Sequence, residues 1–255
     1  MSFENIIVVA AATGRDLVLP PSQDMYLLQN KNSFDNFYPL FSDELQKRMH
    51  VITMKQFLDD QFAKGGYFET EDNSNKEKLL NIVNACEAGK HCDSATLFRF
   101  IRSKSYVSKL KDMKNCLVFD EQAFNNGPSA ITSRSIKKGI ERFCGEEREP
   151  IYYDSEMAAP DIFHFHSGSR ASDDQDDYRL LNPFYSLLHF TNPVEDNYYK
   201  RFIRDFIHYK DEIFCAAGKV INLIQEEGKQ LGFKVDEEGT GGFSHPEFAQ
   251  NISAG

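Results

Sequence analysis

The sequence has no tryptophan and no long hydrophobic run, so any aromatic core or binding surface must be built from phenylalanine and tyrosine. The apolar run at residues 6–12 (IIVVAAA) is much shorter than the roughly 18–20 residues that a membrane-spanning helix needs. Glu4 and Asn5 precede it, and no basic stretch comes before them, which is not the pattern of a secretory signal. As written, the sequence predicts no membrane segment and no export signal, and therefore a cytoplasmic chain.

Several common catalytic and nucleotide-binding signatures are also missing. The sequence contains no G-x-G-x-x-G following a strand, no phosphate-binding P-loop, no H-E-x-x-H and no G-x-S-x-G. The Gly-rich residues 239–242 (GTGG) lack the lysine and the following helix of a phosphate loop. These absences exclude the usual dinucleotide, P-loop, zinc-protease and serine-hydrolase classes.

Positive charge and cysteine are both scarce. The 29 basic residues against 39 acidic ones give a formal charge of −10, which argues against nucleic acid or an anionic membrane as a partner. Five cysteines cannot all pair within one chain and are too sparse for a disulfide framework. We interpret them mostly as small apolar core residues. If the chain is secreted, the sequence leaves open whether one disulfide forms.

The order of the predicted elements is typical of a layered α/β domain. The sequence predicts a helix at residues 2–13. It then predicts buried strands in DLVLPP, HVITM (50–54) and NCLVFD (115–120), and a further strand at residues 161–166. Thr53 and Gln56 predict a capping box. A polar loop is expected at residues 69–78 and a helix at residues 178–190. We predict one α/β domain over residues 1–232 and a Gly-rich, disordered tail over residues 233–255.

The longest predicted element covers residues 196–228. Its apolar residues recur every three or four positions, the spacing of one face of a helix. A single helix of that span would be roughly 50 Å long at about 1.5 Å per residue. We expect it to pack across the sheet and to end the domain.

The clearest candidates for substrate binding are His164, His166 and Arg170. Alternation along a strand places the two imidazoles on one face, and Arg170 follows the carboxyl end of that strand, where α/β sheets bind ligands. An arginine there is suited to a phosphate. The alternative is a pair of half-buried strand histidines followed by an ordinary surface loop.

Metal binding has less support. An Asp-x-Asp pair at residues 174 and 176 would suit a divalent ion on a diphosphate, but acidic loops of this kind are usually only solvated. Cys86, His91 and Cys92 are one ligand short of a structural zinc site. A metal-dependent sugar enzyme that uses the two histidines and the acidic loop stays open as an alternative, but we assign no metal ligand.

Two blocks resemble the GDP-fucose protein O-fucosyltransferase family, in its plant, algal and protist branch. The first is FENIIVVAAATGRDLVLPPSQDMYLL at residues 3–28, together with HVITMKQFL. The second is NPFYSLLHFTNPVEDNYYKRFIRDFIHYKDEIFCAAGKVI, and DIFHFHSG fits the strand before it. The resemblance implies a Rossmann-like domain like the first half of a GT-B glycosyltransferase, ending in a long helix. It also implies a metal-independent, cofactor-free transfer of fucose from GDP-fucose to a protein or glycan hydroxyl, in a family found in the ER and Golgi lumen.

The sequence departs from the family's pattern at both ends. The family's nucleotide-contacting Gly-rich segment precedes the first helix, and here Met1 begins inside that helix. A His-x-Arg strand follows the family's long helix, whereas no arginine occurs here after Arg204. No catalytic residue is therefore assigned, and we expect an O-fucosyltransferase-related protein that is inactive as an amino-terminal fragment. The alternative is a non-enzymatic α/β protein-interaction domain.

Overall fold

A computed structural model describes residues 2–24, 31–107, 115–146, 148–164 and 187–231. The chain divides into two compact units, Met1–His208 and Tyr209–Gly255. The helices of the first unit are α1 (Ser2–Thr13), α2 (Asp43–Gln46), α3 (Met54–Phe62), α4 (Asn73–Glu87), α5 (Ser94–Ser103), α6 (Glu121–Asn126), α7 (Arg134–Cys144), α8 (Ser155–Ala158) and α9 (Pro193–Phe206). Its strands are β1 (Leu17–Leu19), β2 (Gln23–Asp24), β3 (Lys31–Asn32), β4 (Val51–Thr53), β5 (Tyr106–Val107), β6 (Asn115–Phe119), β7 (Glu149–Tyr152), β8 (Phe163–His164) and β9 (Leu188–Phe190).

The strands form small sheets that are mostly parallel. Strand β6 lies between β7 and β9 and is parallel to both, while β1 pairs with β4 and β5 pairs with β8, also in parallel. Among the strands of the described ranges, β2 and β3 alone pair in the antiparallel sense. Parallel strands require a crossover segment between them, which in proteins usually contains a helix. The predicted mixed α/β architecture is therefore confirmed.

Helices cover both faces of β6. Leu117 and Phe119 point into a cluster that contains Val8 and Val9 of α1, whereas Cys116 and Val118 pack with α7. All five residues of the strand are buried, as expected for a strand with covered faces. The alternation of side chains along β6 thus produces the layered arrangement that the order of elements predicts.

Helix α1 is apolar on nearly every side because two clusters pack against it. Val8 and Val9 contact the cluster around β6 and β9, and Ile7 and Ala10 contact the cluster around β1 and β4. A helix that is hydrophobic around most of its circumference must be buried. This explains why the run at residues 6–12 is continuous rather than periodic.

Local capping signals set the ends of several helices. Thr53 accepts a hydrogen bond from the backbone N–H of Gln56 (3.2 Å), and Gln56 accepts one from the N–H of Thr53 (2.9 Å), which confirms the predicted capping box. The predicted loop at residues 69–78 is wrong in its second half, since α4 begins at Asn73. Asp72 caps that helix by accepting from two backbone N–H groups.

The single long helix predicted at residues 196–228 is wrong. Helix α9 ends at Phe206, and the backbone is not helical at residues 207–210. The helix of the second unit, α10 (Asp211–Gln230), begins after this break. Ile, His and Tyr at residues 207–209 have modest helix propensity. Asp211 and Glu212 are acidic residues in the first turn of α10, where negative charge stabilises the amino terminus of a helix. None of the residues of helix α10 is buried.

The helix predicted at residues 178–190 is wrong at its carboxyl end. Residues 188–190 form β9, which pairs with β6, and residues 165–186 lie outside the described part of the chain. Leu188 and Phe190 are buried in the core, and the ring of Phe190 stacks on Phe119 at 4.6 Å between centroids. Pairing with a buried strand outweighs the weak helical preference of this segment.

Four of the five cysteines form two disulfides, where the sequence left room for one. Cys86, Cys116 and Cys144 are buried, as expected of core residues. Cys86 is bonded to Cys92 and Cys116 to Cys144, with Cα atoms 5.2 Å and 5.7 Å apart. The first bond excludes the incomplete zinc site, because both thiols are consumed. Cys215 is free and exposed, so it is not a core residue.

The fold should lose stability in mild acid through His189. The pKa of this β9 histidine is lowered from its ordinary value of 6.5, first by burial and then by Lys200, while Asp196 raises it. Below about pH 6.5 the unfolded chain binds the proton more readily than the folded one, so the free energy of unfolding falls.

We expect the wild type to lose more stability between about pH 7.5 and about pH 5.5 than the His189→Gln variant does. Urea unfolding at both pH values measures the difference. An equal pH dependence in the two proteins would show that His189 does not contribute.

Candidate functional site

The first unit has an open pocket beside the carboxyl ends of β6 and β7. Its volume is about 430 Å³, and it is lined by Ala12, Thr13, Arg15, Phe124, Tyr153, Ala158, Pro160 and Asp161. Phe124 belongs to α6, which follows β6, and Tyr153 directly follows β7. Ligands of open α/β sheets bind outside the carboxyl ends of the strands, so this pocket is the candidate site.

Arg15 fixes one wall of the pocket. Its Nη1 donates to the hydroxyl of Tyr153 (2.9 Å), and its Nη2 donates to the carbonyls of Ala158 and Pro160 (both 2.9 Å) and, more weakly, of Met157 (3.4 Å). The guanidinium therefore neutralises the carbonyl dipoles that converge at the end of α8. Because both terminal nitrogens of the guanidinium donate to groups of the fold itself, Arg15 is a structural cation of the site.

A series of aromatic rings leads from the core to the pocket. Phe190 stacks on Phe119, Phe119 lies 5.1 Å from Tyr153, and Tyr153 lies 5.9 Å from Phe124 with an interplanar angle of 16°. Exposure rises along the series, from 3% at Phe190 to 38% at Phe124. Phe124 is thus an accessible ring whose orientation is supported by buried ones.

The acidic group of the pocket is Asp161. The hydroxyl of Tyr67 donates to this carboxylate, and that bond is the largest cause of the raised pKa of Tyr67. Thr13 donates its hydroxyl hydrogen to the carbonyl of Val9 (2.7 Å), which leaves its oxygen as an acceptor. The pocket therefore combines a carboxylate, hydroxyl groups and aromatic rings.

The predicted substrate residues are only partly within the described chain. His164 lies in β8, opposite Val107 of β5, and β8 follows the Pro160–Asp161 wall of the pocket. His166, Arg170 and the acidic residues 173–177 lie outside the described residues. Within the described ranges, no group of three His, Cys, Asp or Glu residues could hold a metal ion.

No sequence motif marks Arg15, Phe124, Tyr153 or Asp161 as functional residues. Gly14-Arg15 is part of the first block of the family resemblance, but nothing in that block assigns Arg15 a role. The aromatic residues lie in segments with no recognisable motif. Their common location depends on contacts between distant parts of the chain, as the 138-residue separation of Arg15 and Tyr153 shows.

The fold and the pocket define a layered α/β domain with a candidate ligand site at the carboxyl edge of its parallel strands. The family model of GDP-fucose protein O-fucosyltransferase matches residues 1–235, and the chain belongs to that family. No curated protein and no solved structure shows a significant match. None of the described helices is both long enough and apolar enough to cross a membrane.

Proposed function

We propose that this domain takes part in the transfer of fucose from GDP-fucose to a hydroxyl of a protein or glycan. The observation that carries the proposal is the family match over residues 1–235. The parallel strands with helices on both faces are consistent with a Rossmann-like domain of the GT-B type, in which a second domain completes the donor cleft. The candidate residues His164, His166 and Arg170 would lie on the donor side of that cleft.

The 255-residue chain alone should not catalyse transfer. In the family, an arginine in a His-x-Arg strand after the last helix of this domain is the best-known catalytic residue. No arginine follows Arg204 in this sequence. A diphosphate leaving group carries negative charge that needs a cation near it, and Arg15 is already engaged with carbonyl groups.

We also propose that the domain folds in an oxidising compartment. Two intrachain disulfides link segments of the first unit, and such bonds are rare in proteins of the reducing cytosol. The proposed compartment differs from the expectation of a cytoplasmic chain and agrees with the lumenal location that the family resemblance implies.

Calorimetric titration with GDP tests the shared donor cleft. Three proteins are compared: this chain, the carboxyl-terminal half of a family member that carries the His-x-Arg strand, and the two joined in one polypeptide. Because each half supplies one wall, GDP should bind the joined protein at least about tenfold more tightly than either half. Equal affinity of the joined protein and the second half would show that this domain contributes nothing to nucleotide binding.

A protein-interaction role is the second candidate, and the surface of α10 favours it. Its large apolar residues Phe214, Val220, Leu223 and Ile224 are each more than half exposed. Exposed apolar patches often mark association sites. Light scattering after size exclusion tests whether this surface mediates self-association. A strictly monomeric chain would argue against that role.

A further inference from the structure

We propose that the pocket beside β6 and β7 binds a neutral sugar ring of the acceptor. The assignment of that sugar to the acceptor rests on the proposed fucosyl transfer, whereas the sugar-binding property rests on the pocket itself. Three features of the described residues carry the inference: an accessible aromatic ring, a set of oriented polar groups and a balance of charge that disfavours phosphate.

Phe124 provides the apolar platform. Its ring is 38% exposed, and Tyr153, which is nearly parallel to it, is supported in turn by the buried ring of Phe119. The face of an aromatic ring carries partial negative charge and attracts the polarised C–H groups on the flat side of a pyranose.

Polar groups at the pocket match the hydroxyls of a sugar. Asp161 accepts hydrogen bonds, and Thr13 presents an acceptor oxygen because its hydrogen is donated to Val9. The hydroxyl of Tyr153 accepts from Arg15, so its own proton is directed away from the guanidinium and can be donated to a ligand. A sugar hydroxyl is both donor and acceptor, and the pocket offers both kinds of partner.

The charges of the pocket select against a nucleotide. Asp161 repels a phosphate or carboxylate, and Arg15 directs its Nη2 at backbone carbonyls while its Nη1 donates to Tyr153. A neutral ligand meets neither obstacle. The volume of about 430 Å³ lies within the roughly 300–1,000 Å³ range of small-molecule sites, and the pocket is open, so a glycan chain can continue into solvent.

Saturation-transfer NMR with the 255-residue chain tests the proposal. The probes are methyl glycosides of glucose, galactose, mannose and arabinose at millimolar concentration. The variants are Phe124→Ala, which removes the platform, and Asp161→Asn, which keeps the shape but removes the charge. Phe41→Ala is the matched control, because Phe41 is similarly exposed (42%) but does not line the pocket.

At least one neutral glycoside should show saturation of its ring C–H protons in the wild type and in Phe41→Ala. Loss of one aromatic contact should weaken binding roughly three- to tenfold in Phe124→Ala. Loss of the charged acceptor should weaken it about tenfold in Asp161→Asn, which is expected to fold like the wild type. No signal from any neutral glycoside, or equal signals in all four proteins, would overturn the proposal.

Failure of this proposal can be separated from failure of the proposed function. Sugar binding is measured on the chain alone and does not involve GDP. If glycosides do not bind while the joined protein still binds GDP tightly, the pocket assignment is wrong and fucosyl transfer stands. If glycosides bind but the joined protein gains no affinity for GDP, the sugar site stands and its role as the acceptor site is lost.

Discussion

Replacing both Cys116 and Cys144 by alanine should lower the free energy of unfolding by roughly 3–4 kcal/mol. The disulfide joins β6 to the end of α7 across 28 residues, and cross-linking a loop of that length removes considerable entropy from the unfolded chain. Both cysteines are buried in the cluster that holds α7 on the sheet. Loss of the bond therefore also loosens the layer on this face of β6.

The pair Cys86 and Cys92 is the matched control. Its sequence separation is only 6 residues, so the double alanine variant should lose about 2 kcal/mol. Urea unfolding of both double variants gives the comparison, and thiol titration of the unreduced wild type should find Cys215 as its free thiol. If removal of the Cys116–Cys144 bond costs less unfolding free energy than removal of the Cys86–Cys92 bond, the link between β6 and α7 does not make the expected contribution to stability.

Replacing Arg15 by alanine should lower the free energy of unfolding by about 2–4 kcal/mol, although Arg15 is only partly buried. The substitution removes the donors to Tyr153, Ala158 and Pro160 and leaves their partly buried acceptors unsatisfied. It also removes the cation near the ring of Phe163, 5.8 Å from the guanidinium. The wall of the pocket should become mobile as a consequence.

Arg15→Lys and Arg204→Ala are the controls for that change. Lysine keeps the charge but not the planar fork, so it should restore only part of the stability. Arg204 is exposed and pairs with its neighbour Asp205, and its loss should leave the melting temperature close to that of the wild type. Thermal unfolding measures stability, and hydrogen exchange at residues 157–161 reports on the wall. Equal melting temperatures for Arg15→Ala and the wild type would rule out the proposed function of Arg15 as a structural cation.

Local signals predicted the parts of the fold that depend on local physics. The helix at residues 2–13, the capping box of Thr53 and Gln56, and the strands at residues 51–53 and 115–119 follow from hydrophobic pattern and capping chemistry. The family was also identified from the sequence, since its two blocks preserve long stretches of the pattern.

Features that depend on tertiary contacts were not predictable in the same way. Residues 188–190 become a strand because β6 offers a paired edge, and α9 ends where no proline or glycine marks the break. The disulfides join residues that the chain's spacing alone does not pair. The pocket depends on one arginine reaching a tyrosine 138 residues away, for which a single sequence contains no local signal.

The most direct test of the central claim is transfer of labelled fucose from GDP-fucose by the joined protein. We predict turnover onto glycan or peptide acceptors when this chain and the His-x-Arg half are joined. We predict none above the heat-denatured background with either half alone. Robust turnover by the 255-residue chain alone would contradict its assignment as one wall of a shared cleft. A folded joined protein that transfers no fucose would contradict the function itself.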